Sequence, residues 1–96
     1  MTKKLRIQDD LDAGTMTTIR VLFEELAVAN DDVALDVSNV SFIDSSGVGG
    51  LVFLYKRLAA QGRKLEISGL AGQPRQLLDH LKLTAILAPA LPGAAR

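Results

Sequence analysis

Two periods of hydrophobic spacing alternate along the chain. Leu5-Arg6-Ile7 alternates apolar and polar positions, the pattern of a strand with one buried face. From residue 15 to 29 the spacing becomes helical: Met16, Ile19, Leu22, Phe23, Leu26 and Ala27 share one face, with Thr17, Arg20, Glu24 and Glu25 opposite. Asn30-Asp31-Asp32 closes that helix, and Val33, Leu35 and Val37 mark a second strand. A polar-flanked connection from Ser38 to Asp44 carries Val40, Phe42 and Ile43. A second helix is expected from about Ser46 to Gln61, with Val48, Leu51, Val52, Tyr55, Leu58 and Ala59 in one stripe and Gly62 as terminator. Lys64 to Ser68 reads as a third strand. Pro74 suits the first turn of a third helix with Leu77, Leu78 and Leu81 inward, and Ala85-Ile86-Leu87 reads as a short final strand. Strand alternating with helix predicts an α/β sandwich. Residues 1–88 form one domain in this reading, and Pro92, Gly93 and alanines make 89–96 a flexible Pro/Ala-rich tail.

Composition narrows the function. Of 96 residues 48% are hydrophobic and 4% aromatic, so the core is aliphatic. Eleven basic and eleven acidic side chains cancel, and the basic ones are scattered, which argues against nucleic acid as a partner. The absence of cysteine excludes a disulfide framework and a zinc-finger site. Residues 1–10 lack an apolar stretch of the secretory kind, and no run approaches the ~20 apolar residues a bilayer needs. A soluble, cytoplasmic protein without membrane insertion is the expectation.

Residues 36–50, Asp-Val-Ser-Asn-Val-Ser-Phe-Ile-Asp-Ser-Ser-Gly-Val-Gly-Gly, carry the strongest signal. A strand ends, a polar loop follows, and a glycine-rich helix begins at the rim of an α/β sheet, where sites usually lie. Ser45 or Ser46 is expected at the N-cap. Gly47, Gly49 and Gly50 leave the first turn bare, so that another molecule can approach the backbone. A helix start favours anions, so a phosphate on Ser45 would find support there, beside the carboxylate of Asp44. It would add about −1.5 to −2 charges at neutral pH. Local chemistry fits two readings, a plain capping sequence and a phosphorylation switch.

Leu35 to Leu51 resembles the signature of the STAS family, particularly the bacterial anti-sigma factor antagonists of partner-switching systems. The resemblance runs from about Leu5 to Leu87 and is most specific at Phe42-Ile-Asp-Ser-Ser-Gly-Val-Gly49. It implies a small mixed sheet of about four strands covered by three or so helices. It further implies that Ser45, with Ser46 as the lesser candidate, accepts phosphate from an ATP-binding serine kinase that is itself the anti-sigma factor. A PP2C-like phosphatase resets the switch. Asp12 falls where the family has an aspartate near its partner surface, and Asp44 flanks the acceptor. Family members usually begin with a strand hairpin, whereas residues 3–8 have room for one strand. A rival within the family is a subunit of a lipid-transport ABC complex that binds the ATPase without phosphorylation. A nucleotide sensor is a third reading that no base or ribose pocket supports.

On a helical wheel Phe53 stands beside Gly49, Arg57 and Ala60, away from the buried stripe. It is either a partner anchor or covered by another element. The partner surface thus comprises Asp12, Asp44, Ser46, Gly47, Gly49, Gly50 and Phe53. His80, the single histidine, has no companions for catalysis or metal and is expected on the surface of the third helix. Asp9, Asp10 and Asp12 lack EF-hand spacing and read as a solvated acidic loop. Neither a phosphate-binding glycine loop of nucleotide enzymes nor a Gly-x-Ser-x-Gly elbow occurs, so no catalytic residue, cofactor or metal is assigned, and the chain reads as a non-enzyme.

Overall fold

In the computed structural model, which describes residues 1–89, three strands alternate with three helices and a fourth, short helix follows. They are β1 (Thr2–Arg6), α1 (Met16–Val28), β2 (Asp32–Asp36), α2 (Ser45–Ala60), β3 (Leu65–Ser68), α3 (Gly72–His80) and α4 (Thr84–Leu87). The strands pair in chain order β1-β2-β3, both pairs parallel. Crossovers between parallel strands are right-handed, so two that step in the same direction lay α1 and α2 on the same face of the sheet.

The register shows the consequence. Leu5, Leu35 and Ile67 align across the three strands, as do Lys3, Val33 and Leu65, and the apolar members point at the helices. Lys4, Ala34 and Glu66, then Arg6, Asp36 and Ser68, line the opposite face. That face is largely solvated, with Arg6 Nε 3.1 Å from Asp36 Oδ2. Parallel sheets are ordinarily covered on both sides; covering one accounts for the period-two alternation along β2 and β3. The core of Phe23, Leu35, Leu54, Leu58, Ile67 and Leu78 lies between sheet and helices.

The α/β sandwich and its three longer helices match expectation, with three differences in detail. The sheet has three strands, all parallel among the described residues, because residues 84–87 form a helical turn rather than a fourth strand. Thr84 and Leu87, one turn apart, are buried there, and the Thr84 hydroxyl donates to Asp79 Oδ1 at 2.5 Å. In α2 the buried stripe includes Leu54, while Ala59 is exposed: the stripe is centred on Leu51, Leu54 and Leu58. Leu81 is exposed rather than inward, since α3 ends at His80 and the chain turns through Lys82 at a φ of 61°. Gly62 ends α2 at a φ of 73°, as its position suggests. His80 is exposed at the end of α3. The expected tail lies, beyond Pro89, outside the described residues.

Candidate functional site

The loops leaving the carboxyl ends of β1 and β2 meet at the start of α2, the rim at which open parallel sheets usually place ligands. Leu11 and Ile43 form an isolated parallel bridge: the Leu11 N–H donates to Phe42 O (3.0 Å), and the Asp44 N–H donates to Leu11 O (3.1 Å). Asp10 fastens the two loops from the side. Its Oδ1 accepts the Ser41 N–H at 2.9 Å, the Ser41 hydroxyl at 3.1 Å and the Phe42 N–H at 3.2 Å. The Ser41 backbone N–H, followed by the Ser41 hydroxyl, holds the Asp10 carboxyl below its ordinary 3.8. A carboxyl whose pKa falls on folding stabilises the fold above its unfolded value, and that contribution drains away as pH drops through the folded value. Asp10→Asn is therefore expected to flatten the fall of the urea midpoint below about pH 5; a slope equal to the parent's would refute this role. Asp36 and Asp79, lowered chiefly by the Ser38 and Thr84 side chains, sustain the remaining slope.

Asp12 performs a similar task for α1. Its Oδ1 accepts the Thr15 N–H at 2.9 Å, and its own N–H donates to Thr15 Oγ1 at 3.1 Å. The acidic loop is thus an organised turn in which Asp10 and Asp12 take backbone donors, rather than a merely solvated one. No cluster of three or more potential metal ligands occurs among the described residues.

Asp44, not either serine, caps α2. Its backbone is extended, and Oδ1 accepts the N–H groups of Ser46 at 2.8 Å and Gly47 at 3.1 Å. Its second oxygen accepts the Ala13 N–H at 3.0 Å, tying the Asp12 loop to the helix start. Ser45 therefore opens the helix as its first residue and is exposed. Behind the loop, the Gln73 side-chain amide pairs with Ile43 as a peptide would. It accepts the Ile43 N–H at 2.8 Å and donates to the Ile43 carbonyl at 2.9 Å. Nothing in local spacing points to Gln73, because this pairing joins segments thirty residues apart.

The three glycines face three different surroundings. Gly47 is buried: a Cβ there would overlap the Leu11 carbonyl oxygen and lie 2.7 Å from both Ile43 Cγ1 and Leu11 Cβ. A Cβ on Gly50 would strike the Met16 methyl. Gly49 is exposed, and a Cβ there would meet nothing within 4 Å. Glycine within a helix costs roughly 0.5–1 kcal/mol relative to alanine. Gly49→Ala is accordingly expected to stabilise the free protein by about that amount; a lower melting temperature would refute this.

Between α1 and α2 a groove of about 500 Å³ opens beside Ser46 and Gly49. Met16, Phe23 and Phe53 supply its apolar surface, and Arg20 and Glu24 stand on the α1 side. Phe53 is half-buried, with the Arg57 guanidinium 5.4 Å from its ring centroid, a cation–π geometry. The fold thus gathers Asp12, Asp44, Ser45, Ser46 and Gly47 at one rim and sets Gly49, Gly50 and Phe53 along the adjoining groove. Sequence alone does not single out Arg20 and Glu24, which resemble ordinary members of a solvated helix face, or Phe42, 45% exposed three positions before Ser45. No helix among the described residues is long and apolar enough to cross a membrane.

The anti-sigma-B factor antagonist of Bacillus subtilis (strain 168) is 26% identical to this chain over 84 residues, covering 88% of the chain and 77% of the relative. A family model for the STAS domain matches residues 2–92, nearly the whole sequence. With that match and a parallel three-stranded α/β sandwich whose second helix opens at Asp44-Ser45-Ser46-Gly47, the chain belongs to the STAS domain family.

Proposed function

We propose that this chain is a phosphorylation-controlled interaction switch of the anti-sigma factor antagonist type, acting by binding and not by catalysis. Unphosphorylated, it binds an ATP-dependent serine kinase that doubles as the anti-sigma factor; phosphate on Ser45 releases the complex, and a PP2C-like phosphatase restores it. The observation that carries this reading is the placement of Ser45. Asp44 takes the capping role that Ser45 or Ser46 could have filled, so the Ser45 side chain is exposed at a helix start rather than committed to the cap.

The surroundings suit such a modification. The amino end of α2 carries the positive end of the helix dipole, which favours a phosphate dianion, although Asp44 already takes the Ser46 and Gly47 N–H groups there. The loop beneath is held by Asp10, Gln73 and the Leu11–Ile43 bridge, so a kinase meets a set conformation rather than a floppy segment. Ser46 is also exposed, lines the groove, and is the lesser acceptor by the family resemblance, which places the phosphate on the serine directly after the aspartate. The kinship with an anti-sigma-B factor antagonist agrees with this role.

Incubation with the cognate kinase and ATP, followed by tandem mass spectrometry, tests it. A single phosphate on Ser45, absent from Ser45→Ala, is the expected result. Phosphate elsewhere, or none, would overturn the reading.

A further inference from the structure

The groove between α1 and α2 adjoins the proposed switch, and Gly49 in its wall is the residue that the fold itself leaves unexplained. Gly47 and Gly50 lack side chains because Leu11, Ile43 and Met16 occupy the space. Gly49 has open space, lies in the body of α2, and weakens that helix without any internal contact in return. A bare helix backbone beside an apolar trough permits another chain to come closer than any side chain would allow.

Building on the switch function, we propose that this groove receives a helix of the serine kinase. That helix inserts one large apolar side chain against Gly49, Met16 and Phe53, and it carries a carboxylate that meets Arg20. A trough between two packed helices has the shape that accepts a third helix ridge, with anchors spaced by turns. The charge follows from the α1 wall: Arg20 lines the groove and makes no ion pair among the described residues, and beyond the groove lining the Arg57 guanidinium lies over the Phe53 ring. Buried aromatic and arginine anchors of this kind dominate interface energies. Kinase docking would then be read in the groove and phosphoryl transfer at Ser45, with Ser46 between the two.

Calorimetric titration of the purified kinase, with ADP in place of ATP, against four proteins tests the proposal. Gly49→Leu fills the trough and is expected to weaken binding about 30-fold. Gly49→Ala is expected to melt higher than the parent yet bind roughly 5-fold more weakly, and Arg20→Glu, on the other helix, roughly 10-fold. Parental affinity in both Gly49 variants, or a loss confined to Arg20→Glu, would overturn the groove as docking site while leaving Ser45 phosphorylation intact. If the parent itself neither binds the kinase nor is phosphorylated, the switch reading falls and the occupant with it. A parent that sediments as a dimer, and as a monomer once Gly49 is leucine, would assign the groove to a second copy and likewise overturn the proposal.

Discussion

Gly47→Ala is expected to destabilise the fold by about 2–3 kcal/mol, the upper part of the usual cost of forcing extra carbon into a packed site. The added methyl would meet three atoms that cannot easily retreat. Leu11 O is the acceptor for the Asp44 N–H, Leu11 Cβ belongs to a fully buried side chain, and Ile43 is fixed on both backbone groups by Gln73. Relief requires α2 to move away from the β1–α1 loop, which strains the Leu11–Ile43 bridge and the bond from Ala13 to Asp44. The better helix propensity of alanine offsets at most ~1 kcal/mol. For a domain of this size the expected loss is on the order of 10–15 °C in melting temperature. Gly49→Ala, two residues along the same helix, is the control with the opposite sign. Should Gly47→Ala melt at or above the parent, the close packing of α2 on Leu11 would be wrong.

That contrast also shows what is legible in the chain. Helical and strand periods locate α1, α2, β2 and β3 to within a residue or two, because each buries one face and leaves the other wet. The Asp44-Ser45-Ser46 run announces a helix start, yet both residue types are good caps, and only the loop geometry decides for Asp44. Three glycines in four positions read as one bare surface. At 100° per residue they point to the Leu11 backbone, to open space and to Met16, which becomes visible only once α2 is packed. Ala85-Ile86-Leu87 is too short for period to separate strand from helix; the buried Thr84–Leu87 pair and the bond to Asp79 settle it. Gln73 and Asp10 act across thirty residues through backbone groups, a kind of contact that has no local pattern.

The largest effect on binding is expected from Ser45→Asp, which should weaken kinase binding by about 100-fold relative to Ser45→Ala, the cost of stripping water from an uncompensated charge at an interface. Both variants should fold normally. Ser45 is exposed and opens α2, where alanine removes only a hydroxyl and aspartate is favoured by the helix dipole by about 0.3–1 kcal/mol. The two differ at the surface. Alanine leaves the helix start neutral, so Ser45→Ala should bind persistently whether or not ATP is present. Aspartate places a second carboxylate beside Asp44, whose own oxygens are already satisfied by Ser46, Gly47 and Ala13 and cannot rotate to relieve the repulsion. A phosphate would act in the same sense with greater charge, about −1.5 to −2 on a chain whose formal charge is zero. Matched melting curves with a 100-fold gap in affinity would separate a surface switch from a folding defect. Equal affinity of the two variants would mean that the partner does not approach Ser45, and the switch would have to be sought elsewhere on the molecule.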